Sequence, residues 1–228
     1  MQYLLTQQYP FYSWYHILID FTGLALNSFF LLYLLKQSFG IKASLRRQKT
    51  YFYLAAAVTT LGFIATGEIS HHKGYIYYTT FLFFGILFSA LLFEGSFSIK
   101  FISVILYTSS VIAINGFVET LLYAICNLSD YSKLSVSLFT LLFIIKRIGE
   151  YVFVYFLVRF LIYLSPKRFF SIPKIYWLSY LILLLIGIIQ AYTSIFGSLK
   201  NITSLLNFSI ILGTNLCIYY FFNTSIAQ

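Results

Sequence analysis

A few charged side chains lie inside long apolar segments, and they are the residues of this sequence best placed to do chemistry. Placing a charge at membrane depth costs on the order of a few kcal/mol, so such residues are usually functional or paired. Arg159 lies near the end of its segment, where its long side chain can reach the headgroups. The remaining candidates for ligand binding or coupling are Asp20, Glu68, Glu119, Lys146, Arg147 and Glu150.

Helical spacing groups several of these charges. Glu150 follows Lys146 by four residues and Arg147 by three, so all three share one region of a helix surface. Glu119 can meet Lys146 or Arg147 if the segments that carry them pack antiparallel. Two interpretations stay open: an externally accessible polar cavity that binds or transmits a ligand, and a set of buried ion pairs that fixes helix register.

The composition determines the elements that must position these charges. The 228 residues are 60% hydrophobic and 9% charged, with a mean hydropathy of +0.86. A soluble domain usually carries about 25% charged residues, and this much apolar surface requires lipid as the solvent. The apolar runs are nearly continuous over roughly 20 residues, which favours membrane-spanning helices over the alternating strands of a barrel.

The sequence therefore predicts an all-α polytopic membrane protein with seven transmembrane helices. Only short polar connections separate the apolar segments, so we expect one transmembrane domain over 1–228 and no soluble domain. The predicted spans are 12–35, 51–68, 75–93, 101–125, 138–164, 175–196 and 205–222.

The distribution of Lys and Arg predicts the orientation. Nine basic residues lie in the first, third and fifth connections, and three lie in the connections on the opposite side. The positive-inside rule then puts the N-terminus outside and the C-terminus in the cytoplasm. The net charge of +9 is interpreted as topology determinants and contact with anionic headgroups rather than as a nucleic-acid surface.

Other candidates are weaker. His71 and His72 belong to a short external turn, and His16 lies near the outer interface, where we expect it to be hydrogen-bonded or hydrated. Cys126 and Cys217 are expected near opposite faces of the membrane, so a disulfide between them is not predicted. No metal-ligand spacing, cofactor motif or catalytic motif is present, so we expect no metal, no cofactor and no enzyme activity in these residues.

Four stretches resemble a known family. They are the connection 93–100 before the segment with Glu119, the fifth segment with Lys146, Arg147 and Arg159, the entry 172–177 and the stretch 215–222. Together they resemble the N-terminal transmembrane sensor region of AgrC-type, GHKL-group peptide-pheromone receptor histidine kinases. The resemblance implies a quorum-sensing receptor in the plasma membrane of a Gram-positive bacterium, which binds an extracellular peptide or small-molecule signal.

The resemblance also implies a homodimer and an attached cytoplasmic histidine kinase domain. Only six residues follow Phe222, and they contain no phosphoacceptor helix and no Asn-rich ATP-binding box. We therefore expect either a sensor domain truncated before its kinase or a stand-alone homologue. The alternatives are a small multi-pass transporter or substrate-binding membrane component, and a membrane enzyme built on Glu119 and the fifth-segment bases.

Overall fold

The computed structural model describes residues 14–45, 50–51, 53–58, 61, 74–126, 135–164 and 202–227, and within these ranges the chain is all-α. A short 3-10 helix, Ala43–Leu45, follows the first long helix, and helical residues occur between 50 and 61. The long helices are α1 (Trp14–Phe39), α2 (Gly74–Leu92), α3 (Phe97–Ile125), α4 (Val136–Leu164) and α5 (Ile202–Ala227).

These five helices correspond to the first, third, fourth, fifth and seventh predicted spans. The predicted span 51–68 is described only in part, up to residue 61. The predicted span 175–196 lies outside the described residues, as do Glu68, His71 and His72.

Among the residues that the structure describes, two stretches of helix are long and apolar enough to cross a membrane, judged by length and composition. They are Leu18–Phe39 in α1 and Phe97–Leu122 in α3, while the apolar stretches Thr79–Leu92 and Ser204–Ile218 are shorter. In α4 the apolar sequence is interrupted by the Lys146, Arg147 and Glu150 cluster and by Arg159.

The centre of the described bundle is α3. Every residue from 102 to 114 is buried, because α3 packs against α1, α2, α4 and α5. Hydroxyl side chains occur within this buried stretch, and Thr108 donates to the Val104 carbonyl oxygen at 2.8 Å. A side-chain bond to the preceding turn lets a hydroxyl be buried without an interhelical partner.

The direction of each helix follows from its contacts with α3. Phe117 of α3 contacts Phe153 of α4 with ring centroids 5.9 Å apart, and Glu119 contacts Lys146, so these helices run antiparallel. The helix α2 is also antiparallel to α3, because Phe81 contacts Tyr107 and Gly85 contacts Val104. The helix α5 is antiparallel to α3 as well, because Gly116 contacts Phe208 and Ser109 contacts Asn215. Thus α2, α4 and α5 run parallel to one another and opposite to α3.

The helix α1 has the direction of α4. The Tyr15 hydroxyl of α1 lies 3.4 Å from the Thr140 hydroxyl of α4. Further along both helices, the Ile19 oxygen accepts a hydrogen bond from Tyr151. The Phe30 ring then contacts the Tyr155 ring. Both sets of residue numbers rise together, which defines parallel helices.

At one end of the bundle the segment after α1 pairs with the segment between α2 and α3. Ile41 and Phe93 form an antiparallel β-bridge, in which the Lys42 N–H donates to the Leu92 oxygen at 3.0 Å and the Glu94 N–H to the Gly40 oxygen at 3.1 Å. The positive φ angles of Gly40 and Gly95, 74° and 91°, allow the turns that bring these strands together. The first and third connections therefore lie at the same end, as the distribution of basic residues requires.

The helix α3 begins at Phe97, four residues before the predicted span 101–125, so Lys100 lies in this helix rather than before it. Ser96, with φ −67° and ψ 141°, is the N-cap of α3, so Lys100 belongs to the first turn and is 4% exposed. Its ammonium group donates to the Phe93 oxygen at 2.9 Å, and the Lys42 ammonium donates to the Ala90 oxygen at 2.7 Å. Both cations bind carbonyls at the C-terminal end of α2, where the helix dipole is negative.

Candidate functional site: a charged layer between three helices

The candidate site begins with the geometry of α4. Neighbouring residues on an α-helix point about 100° apart, so Lys146 faces α3 while Arg147 faces α1. Glu150 lies one turn further along and between these two directions. Its Oε1 lies 3.8 Å from the Lys146 Nζ, and its Oε2 accepts a hydrogen bond of 2.6 Å from the Arg147 guanidinium.

Each base also reaches an acid on another helix. The Lys146 ammonium donates to Glu119 Oε2 of α3 at 2.7 Å. The Arg147 guanidinium forms an ion pair with Asp20 of α1. Five charged side chains from three helices are therefore connected, and we call this set the charged layer: Asp20, Glu119, Lys146, Arg147 and Glu150.

Burial differs strongly within the charged layer. The Glu150 side chain is 4% exposed, whereas the side chains of Asp20 and Glu119 are 28% and 38% exposed. The deepest carboxylate is thus the one held by both bases. The two carboxylates at the edges keep accessible surface.

Aromatic side chains line the α1–α4 side of the layer. The Arg147 guanidinium lies 5.4 Å from the centre of the Phe143 ring, a cation–π arrangement. His16 packs edge-on against the same ring, with centroids 4.8 Å apart. The hydroxyl of Tyr151 donates to the Ile19 oxygen at 3.3 Å, which closes α1 against α4 beside Asp20.

Of the two expectations for His16, hydrogen-bonded or hydrated, the structure contradicts hydration. His16 is 0% exposed and lies among Tyr15, Phe139 and Phe143. The apolar residues of α4 at this level shield it, and the sequence of α1 alone carries no sign of that packing.

The structure brings together five of the six site residues predicted from the sequence, and Glu68 lies outside the described residues. Helical spacing already specified the two pairs within α4, and the antiparallel arrangement of α3 and α4 selects Lys146 as the partner of Glu119. The pairing of Asp20 with Arg147 was not anticipated, because it depends on the parallel packing of α1 against α4. Their role in ligand binding or coupling stays a prediction.

A second polar contact, which the sequence analysis missed, lies between α3 and α5. The Asn215 amide donates to the hydroxyls of Ser109 and Ser110 at 3.0 and 3.2 Å. Asn215 is 3% exposed, and its partners are equally buried. The signal available in the sequence was an asparagine inside a long apolar segment.

The chemistry of the charged layer is ionic and hydrogen-bonding. Among the described residues, no group of three or more His, Cys, Asp and Glu side chains is arranged to hold a metal ion. The layer presents carboxylate acceptors at its edges and exchangeable ion pairs at its centre. This arrangement suits the binding of a polar or cationic ligand group and a response through changed helix contacts.

No protein-family profile, no curated protein and no solved structure matches this chain. Its function therefore has to be inferred from its own residues.

Proposed function

We propose that this chain is the membrane sensor domain of a quorum-sensing, two-component type of receptor in a bacterial plasma membrane. It binds an extracellular peptide at the charged layer and passes the signal to a cytoplasmic histidine kinase domain, which these 228 residues do not contain. The observation that best supports this proposal is the charged layer itself. Ion pairs across three helices of an apolar bundle are costly to retain, and a ligand that exchanges with them can change how the helices pack.

The proposed topology has seven spans with the N-terminus outside. In such a topology odd-numbered spans share one direction and even-numbered spans the other. In agreement with that, α1, α2, α4 and α5 run in one direction and α3 in the opposite one. Leu164 and Ile202, the adjoining ends of α4 and α5, consequently lie at opposite ends of the bundle, as a sixth span between them requires.

This topology puts the two edge carboxylates of the charged layer, Asp20 and Glu119, in the outer half of the membrane. Asp20 lies six residues after Trp14, the first residue of α1, which is about 9 Å along the axis. Glu119 lies six residues before Ile125, the last residue of α3. A ligand arriving from outside reaches both edge carboxylates without crossing the apolar centre.

The proposed mechanism starts at Glu119. A donor group of the peptide binds its exposed carboxylate and draws it away from Lys146. Lys146 keeps its second acid, Glu150, so the charge of α4 stays compensated while the contact between α3 and α4 weakens. The ligand thereby favours a different helix arrangement, which is a population shift.

The test uses the full chain in lipid nanodiscs and a panel of synthetic fluorescent macrocyclic peptides, with binding followed by fluorescence anisotropy. We expect saturable binding by at least one peptide and an affinity about tenfold lower for Glu119→Gln, because a charge-assisted hydrogen bond is replaced by a neutral one. The matched control is Glu94→Gln, an exposed acid at the other end of the bundle, which should bind as the wild type does. Absence of saturable binding across the panel, or equal affinity of wild type and Glu119→Gln, would contradict the proposal.

A transport assay separates a sensor from a transporter. The peptide that binds is added outside proteoliposomes that contain the full chain, and internal peptide is measured over time. A sensor domain should show binding without accumulation. Accumulation above that of empty liposomes would instead indicate a transporter.

A further inference from the structure

The helix α5 packs through a regular seam. Its buried residues lie four, three, four and three positions apart, which is the spacing of a coiled-coil seam. They are Ser204, Phe208, Ile211, Asn215 and Ile218, and each is at most 5% exposed. No residue of α5 is charged, so this seam has to position the helix without ion pairs.

Two contacts of the seam depend on the exact register. The Phe208 ring lies directly against Gly116 of α3, where a Cβ atom would collide with it. Seven residues later on α5, the Asn215 amide lies between the hydroxyls of Ser109 and Ser110. Gly116 and Ser109 are also seven residues apart, so both contacts fit only one position of α5 along α3.

Displacement of α5 by one turn would lose both contacts. On the α3 face, one turn from Ser109 and Ser110, the side chains are apolar: Ile105 and Leu106 in one direction, Ile112 and Ala113 in the other. A displaced Asn215 would be buried against them without a hydrogen-bond partner, which is strongly unfavourable in an apolar environment. The Phe208 ring would likewise lose the gap that Gly116 provides.

We infer that Asn215, Ser109 and Ser110 form a register lock that makes α3 and α5 move as one unit. One buried asparagine in an apolar seam is a known way of specifying register. The consequence for signalling rests on the proposed function: when a ligand loosens α3 from α4, the lock carries the movement of α3 to α5. The statement about register does not depend on that function.

The register is tested by disulfide cross-linking of the full chain in lipid nanodiscs. Ala113 and Ile211 belong to one buried cluster at the α3–α5 contact, so the reporter is Ala113→Cys with Ile211→Cys, in a chain whose natural Cys126 and Cys217 are replaced by serine. Oxidation with copper phenanthroline should cross-link this pair rapidly. Adding Asn215→Leu should lower the rate, whereas the matched control Asn207→Leu, an exposed asparagine of α5, should leave it unchanged.

A second variant covers a failure of Asn215→Leu to fold. Ser109→Ala with Ser110→Ala removes both acceptors, leaves Asn215 in place and should also lower the rate of cross-linking. The register lock would be overturned if Asn215→Leu cross-linked as fast as Asn207→Leu. If Asn215→Leu aggregates, the same comparison is made with the serine double variant.

Peptide binding separates this inference from the proposed function. The lock lies away from the charged layer, so Asn215→Leu should bind the macrocyclic peptide with wild-type affinity. Slower cross-linking in Asn215→Leu, together with a wild-type chain that binds no peptide, would reject the proposed function and leave the lock standing. Peptide binding with an unchanged cross-linking rate would reject the lock alone.

Discussion

The helices α4 and α5 pack against the same central helix in the same direction, yet by different physics. The contact of α4 includes the Lys146–Glu119 ion pair of 2.7 Å, whereas α5 carries no charge and uses a ring against a glycine and one buried amide. Ion pairs act over longer distances and accept new partners. A buried amide and a close ring contact are short-ranged and fit one position. The comparison suggests that α4 responds to a ligand and that α5 follows α3.

The largest expected effect is on the buried centre of the charged layer. Glu150→Ala removes the buried acid that both bases share, while the pairs of Lys146 with Glu119 and of Arg147 with Asp20 remain. We expect a loss of about 1.5–3 kcal/mol in the free energy of unfolding, because the charge-assisted hydrogen bond from Arg147 to this buried carboxylate is lost. The measurement is a denaturing-detergent titration of the purified protein. Glu94→Ala is the control, and a similar small loss in both variants would refute a buried charged centre.

The next largest effect on stability is expected where α5 packs against α3. Gly116→Ala places a methyl group against the buried Phe208 ring, whereas the same change at Gly213 meets nothing within 4 Å. We expect Gly116→Ala to lower the free energy of unfolding by about 1–3 kcal/mol through overpacking, and Gly213→Ala not to lower it, because alanine has the higher helix propensity. Adding Phe208→Leu should recover part of the loss. A Gly116→Ala protein as stable as Gly213→Ala would contradict the close contact.

A smaller effect is expected where α1 meets α4. Gly23→Ala would push against the Tyr151 hydroxyl, which donates to Ile19. The phenol is the far end of its side chain and can pivot, so the cost should be near that of one hydrogen bond, about 1 kcal/mol. Tyr151→Phe in the same chain should make the additional effect of Gly23→Ala much smaller. Thermal unfolding of the single and double variants measures this coupling, and strict additivity would argue against the contact.

The smallest effect on stability is expected at Glu119, the site of the largest effect on peptide binding. Its side chain is 38% exposed, and solvent screening limits such a pair to at most about 1 kcal/mol. The denaturing-detergent titration should therefore show Glu119→Gln to be nearly as stable as the wild type. A loss as large as that of Glu150→Ala would mean that Glu119 serves structure rather than sensing.

Sequence reasoning reached the parts of this arrangement that depend on one helix or on adjacent helices. Spacing within α4 specifies its two internal pairs, and a short connection favours the antiparallel contact of Glu119 with Lys146. The pair of Asp20 with Arg147 depends on packing between helices distant in sequence, which hydropathy does not encode. The start of α3 at Phe97, after the N-cap Ser96, was not predicted, because hydropathy locates an apolar segment but not the residue at which its helix begins.

Asn215 shows a different limit. The hydropathy of α5 is nearly uniform, so the sequence does not show which face of the helix is buried or that Asn215 lies on it. Its partners Ser109 and Ser110 lie in a serine and threonine run that can bond within its own helix. Only the packing of α5 on α3 shows that these hydroxyls accept from another helix.

Spin-label distances in nanodiscs, measured by double electron–electron resonance with and without a bound macrocyclic peptide, test most directly whether α5 moves with α3 and away from α4. One pair joins the natural cysteines, Cys126 next to α3 and Cys217 on α5, both exposed. The other joins Cys217 to Tyr163→Cys near the end of α4, where Tyr163 is exposed, with Cys126 replaced by serine. We predict that saturating peptide changes the distance between α4 and α5 and leaves that between Cys126 and Cys217 unchanged. An unchanged α4–α5 distance, or a change between the natural cysteines, would contradict the account.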